Sequence, residues 1–245
     1  MNKYWKSLIF QITLELTNNE KGGIKETVCL LTKAQSVLAY ACGWSRMAAI
    51  IKLPEPVARS DISIEEALWN RRSVREYRNG PITLAQISQL VWAAQGTTHG
   101  SGFRTTPAAG ALYSLEVYGV MGDVKGIDRG IYRYRPETHE LELKSSAEWR
   151  GELCAACLHQ PYVRDGAAVV VISAVYRRVT GKYHERGIRY AHMEAGHAVQ
   201  NIYLQAVPLQ LGTVVIGAFN DDEIKRIMGM EPGEEPLCLM PVGNI

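Results

Sequence analysis

Cysteine is scarce in this chain: five of its 245 residues are cysteines, at positions 29, 42, 154, 157 and 238. Five thiols spread over this length do not form the disulfide framework of a small secreted domain, so the sequence predicts a reducing compartment, the cytoplasm. Cys154 and Cys157 have the spacing of a redox or zinc motif, but no second cysteine pair lies nearby. We therefore expect the pair to pack in the core, and we predict no metal site.

Charge of one sign and long apolar runs are scarce as well. The 27 basic and 25 acidic residues leave a formal net charge of +2, and no basic stripe contains interleaved aromatic residues. We therefore predict no nucleic-acid partner. No run of about 18 uncharged apolar residues exists, so no membrane span is predicted. The hydrophobic content of 47% is enough for a substantial core, and any ligand is expected to be a small molecule.

Residues 1–50 differ in character from the rest of the chain. They mix polar and apolar residues without an assignable period, and they predict only a weak helix from about Val28 to Ala49. We divide the chain into an N-terminal extension of unknown role, residues 1–50, and one domain, residues 51–245. An export signal that ends near Cys42 is an alternative for the extension, although Lys33 and Tyr40 fit it poorly.

The run Asn70–Arg75 (NRRSVR) contains three guanidinium groups, those of Arg71, Arg72 and Arg75, and the hydroxyl of Ser73. A guanidinium group binds two phosphate oxygens at once, and a serine hydroxyl adds a further donor. The cluster therefore predicts an anion site, with a solvated basic turn as the alternative.

Helix signals flank this run on both sides. Ser63 and Glu66 have capping-box spacing, and the predicted helix carries Arg71 and Arg72 in its last turn. Its expected apolar face consists of Ile64, Ala67 and Leu68. Thr83 is expected to cap a second helix that ends near Gly96. The arginines should then lie between two packed helices.

The remaining chain alternates predicted strands and helices without a regular repeat, which indicates an α+β fold. Strands are predicted at 115–121, 130–134, 140–144, 167–176, 213–216 and 237–242. Helices are predicted at 149–159, 187–211 and 221–228, the last after an Asp cap. The helix at 187–211 is apolar on nearly all sides, so we expect it to be buried, with a subunit interface as one place for it.

Five motifs, taken in chain order, resemble those of the nitroreductase-fold flavoproteins, and most closely the SagB/ThcOx-type dehydrogenases, which include azoline oxidases. The motifs are the arginine run, Thr106–Val117 (TPAAGALYSLEV), Lys182–Tyr190 (KYHERGIRY), Gly196–Asn201 (GHAVQN) and Gly212–Phe219 (GTVVIGAF). The resemblance covers about residues 52–243. It implies a nitroreductase-like fold with a central mixed or antiparallel sheet flanked by helices, and a homodimer that binds FMN between its subunits.

The resemblance also implies roles for individual residues. Basic side chains of the arginine run would bind the FMN phosphate and ring carbonyls, which assigns Arg71, Arg72, Ser73 and Arg75. Small residues beside the flavin pyrimidine would be Pro107, Ala108, Ala109 and Gly110, and backbone groups near flavin N5 would be those of Ile216 and Gly217. The sequence given stops at Asn244-Ile245 without the late basic residue of many family members, so phosphate binding is expected to depend on the arginine run.

Lys182 and Tyr183 match a pair that is implicated in proton removal in azoline oxidases, and a polar turn is the alternative interpretation. His184 stands where the motif commonly has glycine. His192 and His197 are interpreted as packed histidines. Substrate choice is expected to depend on the loops at 99–106 and 179–187.

The expected function is FMN-dependent hydride transfer through N5 by a ping-pong mechanism, with a thiazoline or oxazoline as one candidate substrate. An NAD(P)H-dependent nitro or quinone reductase is the alternative within the same class. A flavin-binding protein without turnover is the alternative from another class. The substrate would be a small molecule or a modified peptide, and a peptide would require a partner protein.

Overall fold

The computed structural model describes residues 49–98 and 102–245. The helix predicted from about Val28 and the export signal near Cys42 lie outside these residues, as does the start of the predicted 99–106 loop. Among the helices that are described, none is long and apolar enough to cross a membrane.

The predicted elements occur in the predicted order, but two predictions were wrong: the strand expected at 213–216 lies at Leu211–Thr213, and most of the loop expected at 179–187 belongs to the helices Arg177–Tyr183 and Arg186–Ala206. The strands are β1 (Ile50–Lys52), β2 (Ile82–Thr83), β3 (Thr97–Thr98), β4 (Phe103–Arg104), β5 (Leu115–Met121), β6 (Val124–Lys125), β7 (Gly130–Arg135), β8 (Glu140–Ser145), β9 (Ala168–Val175), β10 (Leu211–Thr213) and β11 (Glu234–Asn244). The helices are α1 (Ile64–Asn70), α2 (Leu84–Gln95), α3 (Arg150–Ala156), α4 (Pro161–Asp165), α5 (Arg177–Tyr183), α6 (Arg186–Ala206) and α7 (Asp221–Met228). A short 3₁₀ turn spans Ala109–Ala111.

Seven strands form one sheet in the order β1-β8-β7-β5-β9-β11-β10, and every neighbouring pair is antiparallel. Side chains alternate across β9, so Val170 and Ile172 pack on one face of the sheet while Val169 and Val171 pack on the other. Helices α2 and α6 cover the first face, and α3, α4 and α7 cover the second. The predicted α+β fold with a central antiparallel sheet is confirmed.

Local capping signals placed the helix starts correctly. The Ser63 hydroxyl accepts a hydrogen bond from the Glu66 amide at 3.1 Å, and Thr83 and Gln86 form a reciprocal capping box. Helix α7 is capped by Asn220, and Asp221 is its first residue, so the predicted Asp cap was wrong by one position.

Two expectations about helix α1 were wrong. Helix α1 ends at Asn70, so Arg71 and Arg72 lie after it, because the chain turns there to an extended conformation and pairs with Thr213. Ile64 and Leu68 are more than half exposed. Within one chain, helix α6 is buried on one side only, since Ile188 and Met193 on its other side are exposed. Its predicted place in a subunit interface stays a prediction.

Candidate functional site

The arginine run lies alongside the chain that leaves β10. Ser73 pairs with Thr213 in a parallel bridge, and the Val74 amide donates to the Thr213 carbonyl at 2.9 Å. The hydroxyls of Ser73 and Tyr203 are 3.1 Å apart, and the Tyr203 oxygen accepts a hydrogen bond from the Val215 amide at 2.8 Å. Tyr203, which the sequence reasoning missed, therefore joins the arginine run to the segment that contains Ile216 and Gly217.

The three guanidinium groups of the run face aromatic rings and backbone oxygens. The Arg71 guanidinium lies 5.1 Å from the Tyr203 ring centre, and that of Arg75 lies 5.9 Å from the ring centre of Tyr162. Arg72 donates to the carbonyl oxygens of Trp69 and Arg71. Within the described ranges, no carboxylate oxygen lies within 4.0 Å of any of these three groups. Their positive charge is therefore available to an anion such as a phosphate.

The segment from Thr213 to Gly217 is anchored but open on one side. Ile216 is buried and exchanges backbone hydrogen bonds with Leu239, at 2.8 and 3.0 Å. Gly217 is exposed, and a methyl group added to it would meet no atom within 4 Å. The Thr213 hydroxyl is buried and has no hydrogen-bond partner in the described part of the chain. A ligand can therefore approach the backbone at Gly217 without a steric clash.

A cavity of about 480 Å³ lies between α6 and this segment. One face of α6 contributes His192, Gly196 and Val199, and Val215 and Gly217 lie opposite. The i, i+4, i+7 spacing of the helical residues could have identified this face from the sequence. The interpretation of His192 and His197 as packed was wrong, because both are exposed. His192 lines the cavity, and its Nε2 is hydrogen-bonded to the Tyr176 hydroxyl at 2.7 Å.

Burial suppresses the ionisation of three side chains, of which Cys238 lines this cavity. Burial raises the pKa of Cys238, which lines the cavity, and that of Cys157 to about 12, so both remain protonated thiols. Burial also raises the pKa of Tyr77, whose single hydroxyl proton is shared between the carbonyls of Val74 and Pro241, each 3.2 Å away. In the described residues, no three His, Cys, Asp or Glu side chains are grouped closely enough to hold a metal ion.

The second set of predicted residues meets at Gly110. Lys182 and Tyr183 occupy the last turn of α5, so the alternative of a turn between strand and helix was wrong. A Cβ atom at Gly110 would lie 2.8 Å from the Tyr183 hydroxyl oxygen and 3.2 Å from Lys182 Nζ. The structure thus brings Gly110, Lys182 and Tyr183 together. Pro107, Ala108 and Ala109 precede Gly110 in the same short segment.

The backbone after Lys182 and Tyr183 also has a special conformation. The Tyr183 ring packs edge-on against Tyr190, with ring centres 5.1 Å apart. His184 has a φ angle of +51°, in the left-handed region that favours glycine. The sequence resemblance expects a glycine at this position, and the backbone angle gives a physical reason for that preference.

The two sets of residues lie at different points along α6. Tyr190 packs on Tyr183, whereas Tyr203 contacts Arg71 and Ser73. Tyr203 is thirteen residues further along the helix, which is ~20 Å at about 1.5 Å per residue. Within one chain, the arginine run and the Lys182–Tyr183 pair therefore do not form a single compact site.

Comparison with known proteins identifies the family. The model of the nitroreductase family matches residues 68–244. The chain is also 46% identical over 194 residues to MJ1384 of Methanocaldococcus jannaschii, which is assigned as a nitroreductase, and the match covers 79% of this chain and 96% of that protein. The chain belongs to the nitroreductase family. As a member of this family it is an oxidoreductase.

Solved structures agree with the family assignment. A nitroreductase-family protein from Ralstonia eutropha is 30% identical with a TM-score of 0.71, and the match covers 82% of this chain and 91% of that one. The McbBCD microcin synthetase complex of E. coli, solved with truncated pro-MccB17 bound, contains a chain that is 22% identical with a TM-score of 0.62. That match covers 85% of this chain and 82% of the E. coli chain, and it shows a shared fold alone.

Proposed function

We propose that this nitroreductase-family chain is an FMN-dependent oxidoreductase. The observation that carries the proposal is the arginine run: its three guanidinium groups have no carboxylate partner in the described residues, and Ser73 and Tyr203 join the run to the segment that contains Gly217. Arg71 and Arg75 would bind the phosphate, and Ser73 would donate a further hydrogen bond. The cavity beside Val215 and Gly217 would receive the flat ring system. Bound FMN would supply hydride transfer at N5.

We further propose that the enzyme is a homodimer and that each site uses residues of both copies. One chain places its Lys182–Tyr183 pair ~20 Å along α6 from its arginine run, so a second copy would supply the missing half of each site. The exposed apolar side chains of α1 and α6 support this arrangement: Ile64, Leu68, Trp69, Ile188 and Met193. Apolar groups of this size on a surface are typical of a subunit interface.

The contact of Lys182 and Tyr183 with Gly110 supports oxidation of a thiazoline or oxazoline ring as the reaction. The dihydro ring becomes aromatic when it loses a hydride from one carbon and a proton from its neighbour. The proton would pass to the Lys182 side chain as a neutral amine or to the Tyr183 side chain as a phenolate, and the flavin would take the hydride. The small residues Pro107, Ala108, Ala109 and Gly110 would leave room for the flat rings.

A second candidate is reduction of a nitro or quinone compound with NAD(P)H as the electron donor. It is supported by the 46% identical relative, which is assigned as a nitroreductase. In that reaction the same phosphate site and the same cavity would serve the flavin, but Lys182 would have no required part.

An anaerobic reduction experiment separates the two candidates. The flavin-loaded protein is mixed either with a thiazoline-containing peptide or with NADPH, and bleaching of the absorbance near ~450 nm is followed. The azoline oxidase predicts bleaching by the peptide, lost in Lys182→Ala and kept in Lys125→Ala, which changes an exposed lysine of β6. Bleaching by NADPH alone, equal in both variants, would favour the nitro or quinone reductase.

A further inference from the structure

Glu194 is a buried carboxylate on α6 that the proposed reaction does not use. Its side chain is 3% exposed. One oxygen accepts hydrogen bonds from the Ser114 amide at 3.2 Å and from the Ser114 hydroxyl at 2.8 Å. The other oxygen accepts from the Gln95 side-chain amide at 3.3 Å. A carboxylate in such a place costs free energy because it is removed from water, so its presence needs a reason.

The partner of Glu194, Ser114, ends a segment with an unusual backbone. Gly110, Ala111 and Tyr113 have φ angles of +61°, +53° and +44°. Residues other than glycine rarely adopt such angles, and they keep them only where the surroundings hold the backbone in place. This strained segment is the one that brings Gly110 against Lys182 and Tyr183.

Helix α6 holds the other end of the segment as well. The Asn201 side-chain amide donates to the Thr106 hydroxyl and to the Ala93 carbonyl, each at 3.1 Å. Asn201 is seven residues after Glu194, which is two helical turns, so both anchors lie on one side of α6. The segment 107–113 is therefore fixed to the same helix at its beginning and at its end.

A third contact fixes the chemical character of the Glu194 site. The Gln95 side-chain oxygen accepts a hydrogen bond from the Arg104 guanidinium at 3.0 Å, so its amide nitrogen faces Glu194. The same guanidinium lies 4.5 Å from the centre of the Tyr113 ring. Both groups that face Glu194, Ser114 and Gln95, act as donors, so the position requires a side chain that only accepts.

We propose that Glu194 is a positioning residue, which holds the strained segment 107–113 so that Gly110 keeps Lys182 and Tyr183 in place. The catalytic purpose of the segment rests on the proposed function, whereas its anchoring by Glu194 does not. Glutamine at position 194 would keep the size of the side chain but would turn an N–H₂ group toward Ser114 or Gln95. At least one hydrogen bond would then be lost, and the segment would be held less firmly.

Hydrogen exchange and kinetics on the Glu194→Gln variant test the proposal. The matched control is Glu234→Gln, which changes another buried carboxylate that accepts from two hydroxyls, those of Tyr118 and Ser173. We expect amide exchange at 108–114 to rise by about tenfold or more in Glu194→Gln, with exchange at 71–75 unchanged. We also expect kcat to fall by about 10-fold to 100-fold, because small displacements of catalytic groups are costly. The control should show neither change.

Two results of the exchange experiment would overturn the proposal. One is an exchange rate at 108–114 that is the same in Glu194→Gln and in the parent protein. The other is an equal increase at 108–114 in Glu234→Gln. If Glu194→Gln does not fold, Ser114→Ala removes the hydroxyl donor and leaves the carboxylate its Gln95 contact, and the same local rise in exchange is required of it. Hydrogen exchange is measured without flavin or substrate, so its result does not depend on FMN binding. A protein that binds no FMN would refute the proposed function but would not change the exchange test of Glu194.

Discussion

Replacement of Gly110 by alanine should damage catalysis far more than it damages folding. The new Cβ would lie 2.8 Å from the Tyr183 hydroxyl oxygen and 3.2 Å from Lys182 Nζ, where 3.4 Å is the start of ordinary contact. The Tyr183 oxygen must therefore move by about 0.6 Å. Both atoms are the far ends of flexible side chains, so they can move away without disturbing the core.

The cost in stability comes mainly from the backbone. Gly110 has a φ angle of +61°, and an L-residue in this region costs about 1–2 kcal/mol. We expect the free energy of unfolding to fall by that amount. The expected fall in kcat is about tenfold or more, since misplacement by about 1 Å can cost about 100-fold.

Gly229→Ala provides a matched control. Gly229 follows α7 with a φ angle of +60°, and a methyl group there would meet no atom within 4 Å. The free energy of unfolding of Gly229→Ala should fall as it does in Gly110→Ala, while the kcat of Gly229→Ala stays at the parent value. Unfolding is measured with urea, and kcat by loss of two hydrogens from a thiazoline peptide in a mass spectrometer. A Gly110→Ala enzyme with the kcat of Gly229→Ala would refute the reasoning.

Three further predictions concern stability. Tyr203→Phe leaves the Val215 amide without its acceptor, so the free energy of unfolding in urea should fall by about 1–3 kcal/mol. The control Tyr132→Phe removes one hydrogen bond to a carbonyl, and its free energy of unfolding should fall by less. Thr213→Val replaces a hydroxyl that has no partner among the described residues, so thermal unfolding without ligand should show that the variant is at least as stable as the parent. A fall in the free energy of unfolding of more than about 1 kcal/mol would contradict this. Burial lowers the pKa of His139, so the unfolded chain binds a proton that the folded chain does not. Stability should therefore fall as pH falls below about 6.5, and a His139→Gln variant that keeps the same pH slope would contradict the assignment.

Sequence reasoning predicted the elements that depend on near neighbours. The caps at Ser63 and Thr83 act within three residues, so their sequence spacing is enough to place them. The alternating, fully buried β9 was likewise recognisable from its apolar run. The motif order gave the family, because five separate segments had to agree.

Sequence reasoning failed where a distant residue decides the outcome. Arg71 and Arg72 leave the helix because Ser73 pairs with Thr213, and no local signal contains that pairing. Tyr203 is hydrogen-bonded to Ser73, which lies 130 positions away in the chain, so no local pattern predicted its place in the site. The residues beside the flavin were taken from the resemblance, and their roles stay predictions.

The most direct test of the central claim is the dissociation constant of FMN, measured by fluorescence quenching, for the parent protein and for Arg71→Ala/Arg75→Ala. Each lost charge-assisted bond to the phosphate should cost about 1.5–3 kcal/mol, so the double variant should bind at least about 100-fold more weakly. The control Arg129→Ala/Arg226→Ala removes the same charge from two exposed, carboxylate-paired arginines, and it should bind FMN as the parent does. A parent protein that takes up no FMN, or a double variant that binds it as tightly as the control, would contradict the account.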